Sequence, residues 1–165
     1  MTYQLTNAQQ DFLTITKLGL NIQAQWIPTH DIDWMSVFEI AQQQSMLGIA
    51  FDGVTKLPQS QRPPFYIQWA AHVLQIEKTN KHLNHTIHQL NTLYQAHNIP
   101  CIIMKGQAIA RHYPNPLHRQ CGDIDVFVGK QHATLSRQLL EHHGAIQKQE
   151  AALMHAAYQW HNSTV

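Results

Sequence analysis

Apolar residues along the first hundred positions recur every three or four residues, the spacing of helices that bury one face. After Ile99 they gather into short runs instead. Phe12, Ile15, Leu18 and Gly19 share one such face, and Asn7 is a candidate cap for that helix. Asp33 reads as the cap of a second helix, with Val37, Ile40 and Ala41 turned inward, and Met46–Ala50 as a further helical segment. The stretch from Leu57-Pro58 to Arg62-Pro63-Pro64 is the clearest linker, because proline interrupts both helix and ladder hydrogen bonding. Beyond it, Trp69, Val73, Ile76, Leu83, Ile87, Leu90 and Tyr94 form a long stripe interrupted by Asn80. That stripe predicts a helix packed onto its own domain.

The period then changes. Ile99–Met104 reads as a short strand, Gly106–His112 as a helix, and Tyr113–Cys121 as a polar connection containing proline. Ile124–Val128 reads as a second strand and Gln131–His142 as the helix after it. Ala156–Trp160 and Ser163–Val165, joined by His161-Asn162, have the pattern of a hairpin. The expected fold is α+β. A helical region over 1–97 precedes a core over 98–165, with a small mixed sheet flanked by helices.

Composition narrows the function classes. Of 165 residues, 44% are hydrophobic, which is ordinary, whereas only 13% are charged, against about 25% in typical domains. A formal net charge of +1 supplies no field for a long nucleic acid and favours a small or proteinaceous partner. Among the 13 histidines, His82, His85 and His88 recur every third residue. On a helix that spacing drifts by about 60° per step, so they read as solvated side chains rather than as a metal site. Cys101 and Cys121 make neither a disulfide framework nor a C-x-x-C site. No basic leader precedes an apolar core at Met1–Leu5, and no apolar run approaches a membrane span. A cytoplasmic protein without membrane contact is expected.

The chemistry lies in the second half. Asp123 and Asp125 stand two apart in an apolar stretch, so a strand places both carboxylates on one face. Side by side they repel, and a hard divalent ion such as Mg²⁺ relieves the conflict while also binding substrate phosphates. Upstream, the turn at Lys105-Gly106 offers backbone N–H groups and a cation to phosphate oxygens. Arg119 can grip phosphate in bidentate fashion.

These residues carry a resemblance. Ile102-Ile103-Met104-Lys105-Gly106-Gln107-Ala108-Ile109-Ala110, then Tyr113-Pro114-Asn115-Pro116, then Arg119-Gln120-Cys121-Gly122-Asp123-Ile124-Asp125-Val126-Phe127-Val128, resembles the uncharacterised nucleotidyltransferase family of the DNA polymerase beta-type superfamily. The family's lysine-glycine turn, tyrosine-proline connection and GDID strand occur in this order. Asp33-Trp34, Ile99-Pro100, His142-His143-Gly144 and His155 extend the likeness. The resemblance implies transfer of a nucleoside monophosphate from a nucleoside triphosphate to an acceptor hydroxyl, with Mg²⁺ or Mn²⁺ as cofactor. Asp123 and Asp125 would be the catalytic, metal-binding acids, and Lys105, Gly106, Gln107, Arg119 and Gly122 would face the nucleotide phosphates. Gln107 stands where the superfamily often has serine.

The resembled family takes a third carboxylate from the strand after the D-x-D strand. Glu141 and Glu150 are the nearest acids, and neither matches that position. The chain ends where that strand should be under way, so an incomplete core, an exposed strand edge and weak or absent transfer are expected. Two alternatives stand beside the enzyme. One is a non-catalytic nucleotide-binding or interaction module. The other is a D-x-D glycosyltransferase, which the lysine-glycine turn shortly before the acids disfavours.

Overall fold

The computed structural model describes residues 4–148 and 156–165 of the chain. The architecture is α+β, and it divides into two compact units. One comprises residues up to Lys78 together with Arg111–Gln120, and the other comprises Thr79–Ala110 and Cys121–Val165. Glu150 and His155 lie outside the described residues.

The first unit holds α1 (Asn7–Gly19), α2 (Trp34–Gln43), α3 (Leu47–Thr55) and the first part of α4 (Tyr66–Ala96). Thr6, rather than Asn7, caps α1. Its Oγ1 accepts the Gln9 N–H at 3.3 Å, and Gln9 Oε1 accepts the Thr6 N–H at 3.0 Å. This reciprocal arrangement satisfies two end groups at once, which a lone Asn7 side chain would not. Asp33 caps α2 as expected, accepting both the Ser36 hydroxyl and its N–H, and these bonds lower the carboxyl pKa. Ser45, at φ 55°, ends the polar run after α2, so α3 starts as a separate helix.

α1 and α3 touch backbone to backbone. A Cβ on Gly53 would stand 2.0 Å from the Ile15 carbonyl oxygen, so only glycine admits this crossing. Phe12, Ile15, Val37, Ala50, Val54 and Trp69 form the buried core. Trp69 is fully buried and gives its indole N–H to the Leu47 carbonyl at 3.1 Å, which satisfies the group that burial would otherwise strand.

The second unit begins with the remainder of α4. The helix closes where Ile99 folds back and donates to the Tyr94 carbonyl at 2.9 Å after Asn98 at φ 54°. Ile99 is thereby buried against the helix end, and β1 is only Ile102–Met104, shorter than the apolar run suggests. α5 (Gly106–Ala110) follows, then β2 (Asp125–Phe127), and a turn of 3₁₀ helix over Lys130–His132 leads into α6 (Ala133–His142). β3 (Ile146–Gln147), β4 (Tyr158–Trp160) and β5 (Ser163–Thr164) complete the order.

β1 pairs antiparallel with β2, in the register Ile102 to Phe127, Ile103 to Val126 and Met104 to Asp125. The order β3-β4-β5 is also antiparallel, and a parallel bridge joins Asp123 to Thr164. Leu83, Leu90, Tyr94, Ile124, Leu140 and Trp160 make the second core. Within it the Tyr94 hydroxyl lies 2.6 Å from Ser136 Oγ, and burial pushes the phenol pKa up. No helix among the described residues is long and apolar enough to cross a membrane.

Candidate functional site

The acidic pair sits where β2 begins. Ile124 is 3% exposed between an exposed Asp123 and a half-buried Asp125. This alternation puts one side chain into the core and both carboxylates on the opposite face. Lys105 follows β1 directly, and its Nζ stands 3.1 Å from Asp125 Oδ2. The Lys105 side chain is 72% exposed, so the pair is a surface contact from which the lysine can turn away at little cost.

The turn between β1 and α5 runs through Lys105 at φ 49° and Gly106 at φ 25°. The Lys105 carbonyl accepts the Ile109 N–H at 3.0 Å and so closes the first turn of α5. Glycine has a structural reason here, since a Cβ at 106 would stand 2.7 Å from Cys121 Sγ. Cys121 in turn donates its thiol to the Asp123 carbonyl at 3.2 Å, tying the turn to the acidic segment. A Cβ at Gly122 would meet nothing within 4 Å, so no neighbouring group demands glycine there.

Gln107 is oriented by α4. Its Nε2 donates to Asn80 Oδ1 at 2.7 Å, and Asn80 is 1% exposed. The residue that breaks the apolar stripe of the long helix is therefore the one that anchors α5. Arg119 belongs to the first unit, where its Nη1 lies 3.4 Å from the Gln120 carbonyl oxygen. Lys105, Gly106, Gln107, Gly122, Asp123 and Asp125 all belong to the second.

The hairpin expected at the C-terminal end forms, with His161 at φ 47° and Asn162 at φ 61° as its two connecting residues. Positive φ at both is what a tight primed turn requires. α4 holds this hairpin through His82 Nε2, 2.6 Å from the His161 carbonyl oxygen, and through Thr86 Oγ1, 3.3 Å from Ser163 Oγ. The edge of β5 is not left open along its length, in contrast to the expectation. Ile124 N–H donates to the Thr164 carbonyl at 2.8 Å, because the backbone ahead of β2 runs alongside. Ser163 is buried, which turns Thr164 outward on the face of its bridge partner Asp123. Thr164 thus occupies a site-facing position that its residue type does not reveal.

Glu141 is engaged elsewhere, accepting the Tyr158 hydroxyl at 3.0 Å. Among the described residues, no three His, Cys, Asp or Glu side chains are grouped so as to hold a metal ion. In the first unit a second charged cluster escaped the sequence reading. His118 is buried with Asp52 at 2.7 Å from Nδ1 and Glu77 at 3.1 Å from Nε2. Its partners are 66 and 41 residues away, and nothing local in the chain marks them.

A family described as "Uncharacterised nucleotidyltransferase" matches residues 30–165. No curated protein and no solved structure matches the chain.

Proposed function

Since the chain belongs to the uncharacterised nucleotidyltransferase family, we propose that it transfers a nucleoside monophosphate from a nucleoside triphosphate to an acceptor hydroxyl. The reading rests on one arrangement above all, the exposed Asp123 and the half-buried Asp125 on one face, with the Lys105 ammonium beside Asp125. In the reaction the acceptor hydroxyl oxygen attacks the α-phosphorus and releases its proton to solvent, the bond from the α-phosphorus to the α–β bridging oxygen breaks, and pyrophosphate leaves.

The donor set fits Mg²⁺ or Mn²⁺, which take carboxylate oxygens together with substrate phosphates. Asp123 and Asp125 would hold the ion, which when bound stabilises charge on the attacking and leaving oxygens. Lys105 exchanges Asp125 for a phosphate oxygen when the nucleotide arrives, which neutralises charge without opening a buried contact. Gly106 and Gln107 contribute backbone N–H groups at the turn, because the Gln107 side chain is already committed to Asn80. Gly122, with open space beside it, lets a substrate come close to Asp123. The low net charge of +1 favours a small-molecule or protein acceptor over a long nucleic acid.

A calorimetric titration with ATP, with and without Mn²⁺, tests the reading. Binding is expected only with the metal, and Asp123→Asn or Asp125→Asn should abolish it. Unchanged metal-dependent binding in both variants would remove the acids from the site. A second reading, a nucleotide-binding module without transfer, is favoured by the grouping of only two acids at the site among the described residues. Release of pyrophosphate from labelled ATP in the presence of acceptor candidates separates the two.

A further inference from the structure

We propose that the exposed face of the β1–β2 ribbon is the nucleobase platform of this site. The inference rests on the phosphate reading above and assigns the other end of the same substrate. Ile102 and Phe127 are cross-strand partners, as are Met104 and Asp125. Residues paired in this way share a face, and so do residues two apart on one strand. One face therefore carries Ile102, Met104, Asp125 and Phe127, while Ile103 and Val126 turn to the core.

The three apolar side chains on the acid face are poorly covered. Ile102 is 62% exposed, Met104 40% and Phe127 52%. A single exposed apolar residue needs no explanation, but three in register beside a carboxylate pair form a patch. Because β1 and β2 are antiparallel, the ribbon has a polarity. Lys105, Gly106 and Asp123 lie at one end, Met104 and Asp125 in the middle, and Ile102 and Phe127 at the other end.

A nucleoside triphosphate has the same polarity, with terminal phosphates, then the α-phosphate, then ribose and an aromatic base. With β- and γ-phosphates at the Lys105 turn and the α-phosphate at the acids, the base falls one residue pair further along. Two residues of strand span about 7 Å, the reach of a ribose and its glycosidic bond. Phe127 offers an aromatic face to stack on, Ile102 an aliphatic flank, and neither supplies a polar group to read the base edge. The platform should accept purines and pyrimidines alike, purines more tightly because their stacking area is larger.

The test compares two Mn²⁺-complexed probes, tripolyphosphate and ATP, on the whole chain and on Phe127→Ala and Phe127→Trp. Loss of one stacking partner should weaken ATP binding roughly tenfold or more, with tripolyphosphate binding unchanged. Phe127→Trp should restore ATP affinity, and its added fluorescence should be quenched by ATP but not by tripolyphosphate. Phe127 is half exposed, so neither substitution threatens the fold, and circular dichroism checks this. Equal ATP affinity in the parent and Phe127→Ala, with both probes lost in Asp125→Asn, would overturn the platform and leave the phosphate site standing. An acceptor-binding role for the patch would give that same result. Failure of the parent to bind either probe would overturn the phosphate reading and the platform with it.

Discussion

His118 holds its Nδ1 2.7 Å from Asp52 Oδ1, while Glu77 Oε1 stands 3.1 Å from the opposite ring nitrogen. Ionised carboxylates only accept hydrogen bonds, so both ring nitrogens must carry hydrogen and the imidazole is cationic. Burial by itself pulls the His118 pKa down. The hydrogen bonds to Asp52 and Glu77, and the charges of both, outweigh it and leave the pKa above the ordinary histidine value. The segment Arg111–Gln120 is thereby pinned within the first unit. Gln120 adds to the hold by accepting the Leu47 N–H at 3.0 Å.

A raised folded-state pKa fixes the sign of a pH effect. The stabilisation is complete below the unfolded value of about 6.5 and fades as pH climbs through the folded value. His118→Gln should cost about 1.5–3 kcal/mol near pH 6, as expected for hydrogen bonds to charged groups. The gap to the parent should narrow steadily towards pH 9. Urea unfolding followed by tryptophan emission checks it, and Trp26, Trp34 and Trp69 report on this unit. A gap that does not change with pH would sink the cationic assignment.

Gly106→Ala should destabilise the second unit by roughly 1–3 kcal/mol. Two causes act together, the positive φ and the approach to Cys121 Sγ at 2.7 Å. Cys121→Ala removes the second cause together with the thiol bond to Asp123, so thermal unfolding should show Gly106→Ala recovering part of its loss when measured against Cys121→Ala alone. Full recovery, or none, would contradict this division. A bulky substitution at Gly106 therefore perturbs stability as well as phosphate access, and stability must be measured alongside affinity.

Asn80→Ala should cost about 1–3 kcal/mol, the penalty of leaving a half-buried amide without this acceptor. The loss falls on Gln107, whose Nε2 is 2.7 Å from Asn80 Oδ1. Pairing Asn80→Leu with Gln107→Leu removes both polar groups and should cost less than Asn80→Ala. Denaturation midpoints of Asn80→Leu, Gln107→Leu and the pair, beside Asn80→Ala, decide it, and additive losses in the pair would argue against coupling.

Thr164→Asp should tighten Mn²⁺ binding by about tenfold or more, since carboxylate count tunes affinity for hard cations. Thr164 is the bridge partner of Asp123 and shares its outward face. Manganese titration by electron paramagnetic resonance reads the change directly. The gain should vanish when Asp123→Asn is added. Unaltered affinity would show that the residue facing Asp123 does not reach the ion.

Much of this protein is determined locally and is therefore legible in its sequence. The stripe from Trp69 to Tyr94, the Asp33 cap, the His161-Asn162 turn and the D-x-D pair each depend on neighbours within a few residues, whose spacing fixes periodicity, capping and strand alternation. Where two local signals compete, the one that satisfies more groups or buries more surface prevails. Thr6 with Gln9 won over Asn7 because it satisfies two N–H groups, and Ile99 joined the end of α4 because burial there outweighed continuing the strand. What only the tertiary structure decided involves partners far apart in the chain. Asn80 reads as a flaw in an apolar stripe until Gln107 is placed against it, and His118 is one histidine among 13 until Asp52 and Glu77 enclose it. The position of Thr164 beside Asp123 is of the same kind, since sheet pairing between distant segments depends on the whole core and not on either segment alone.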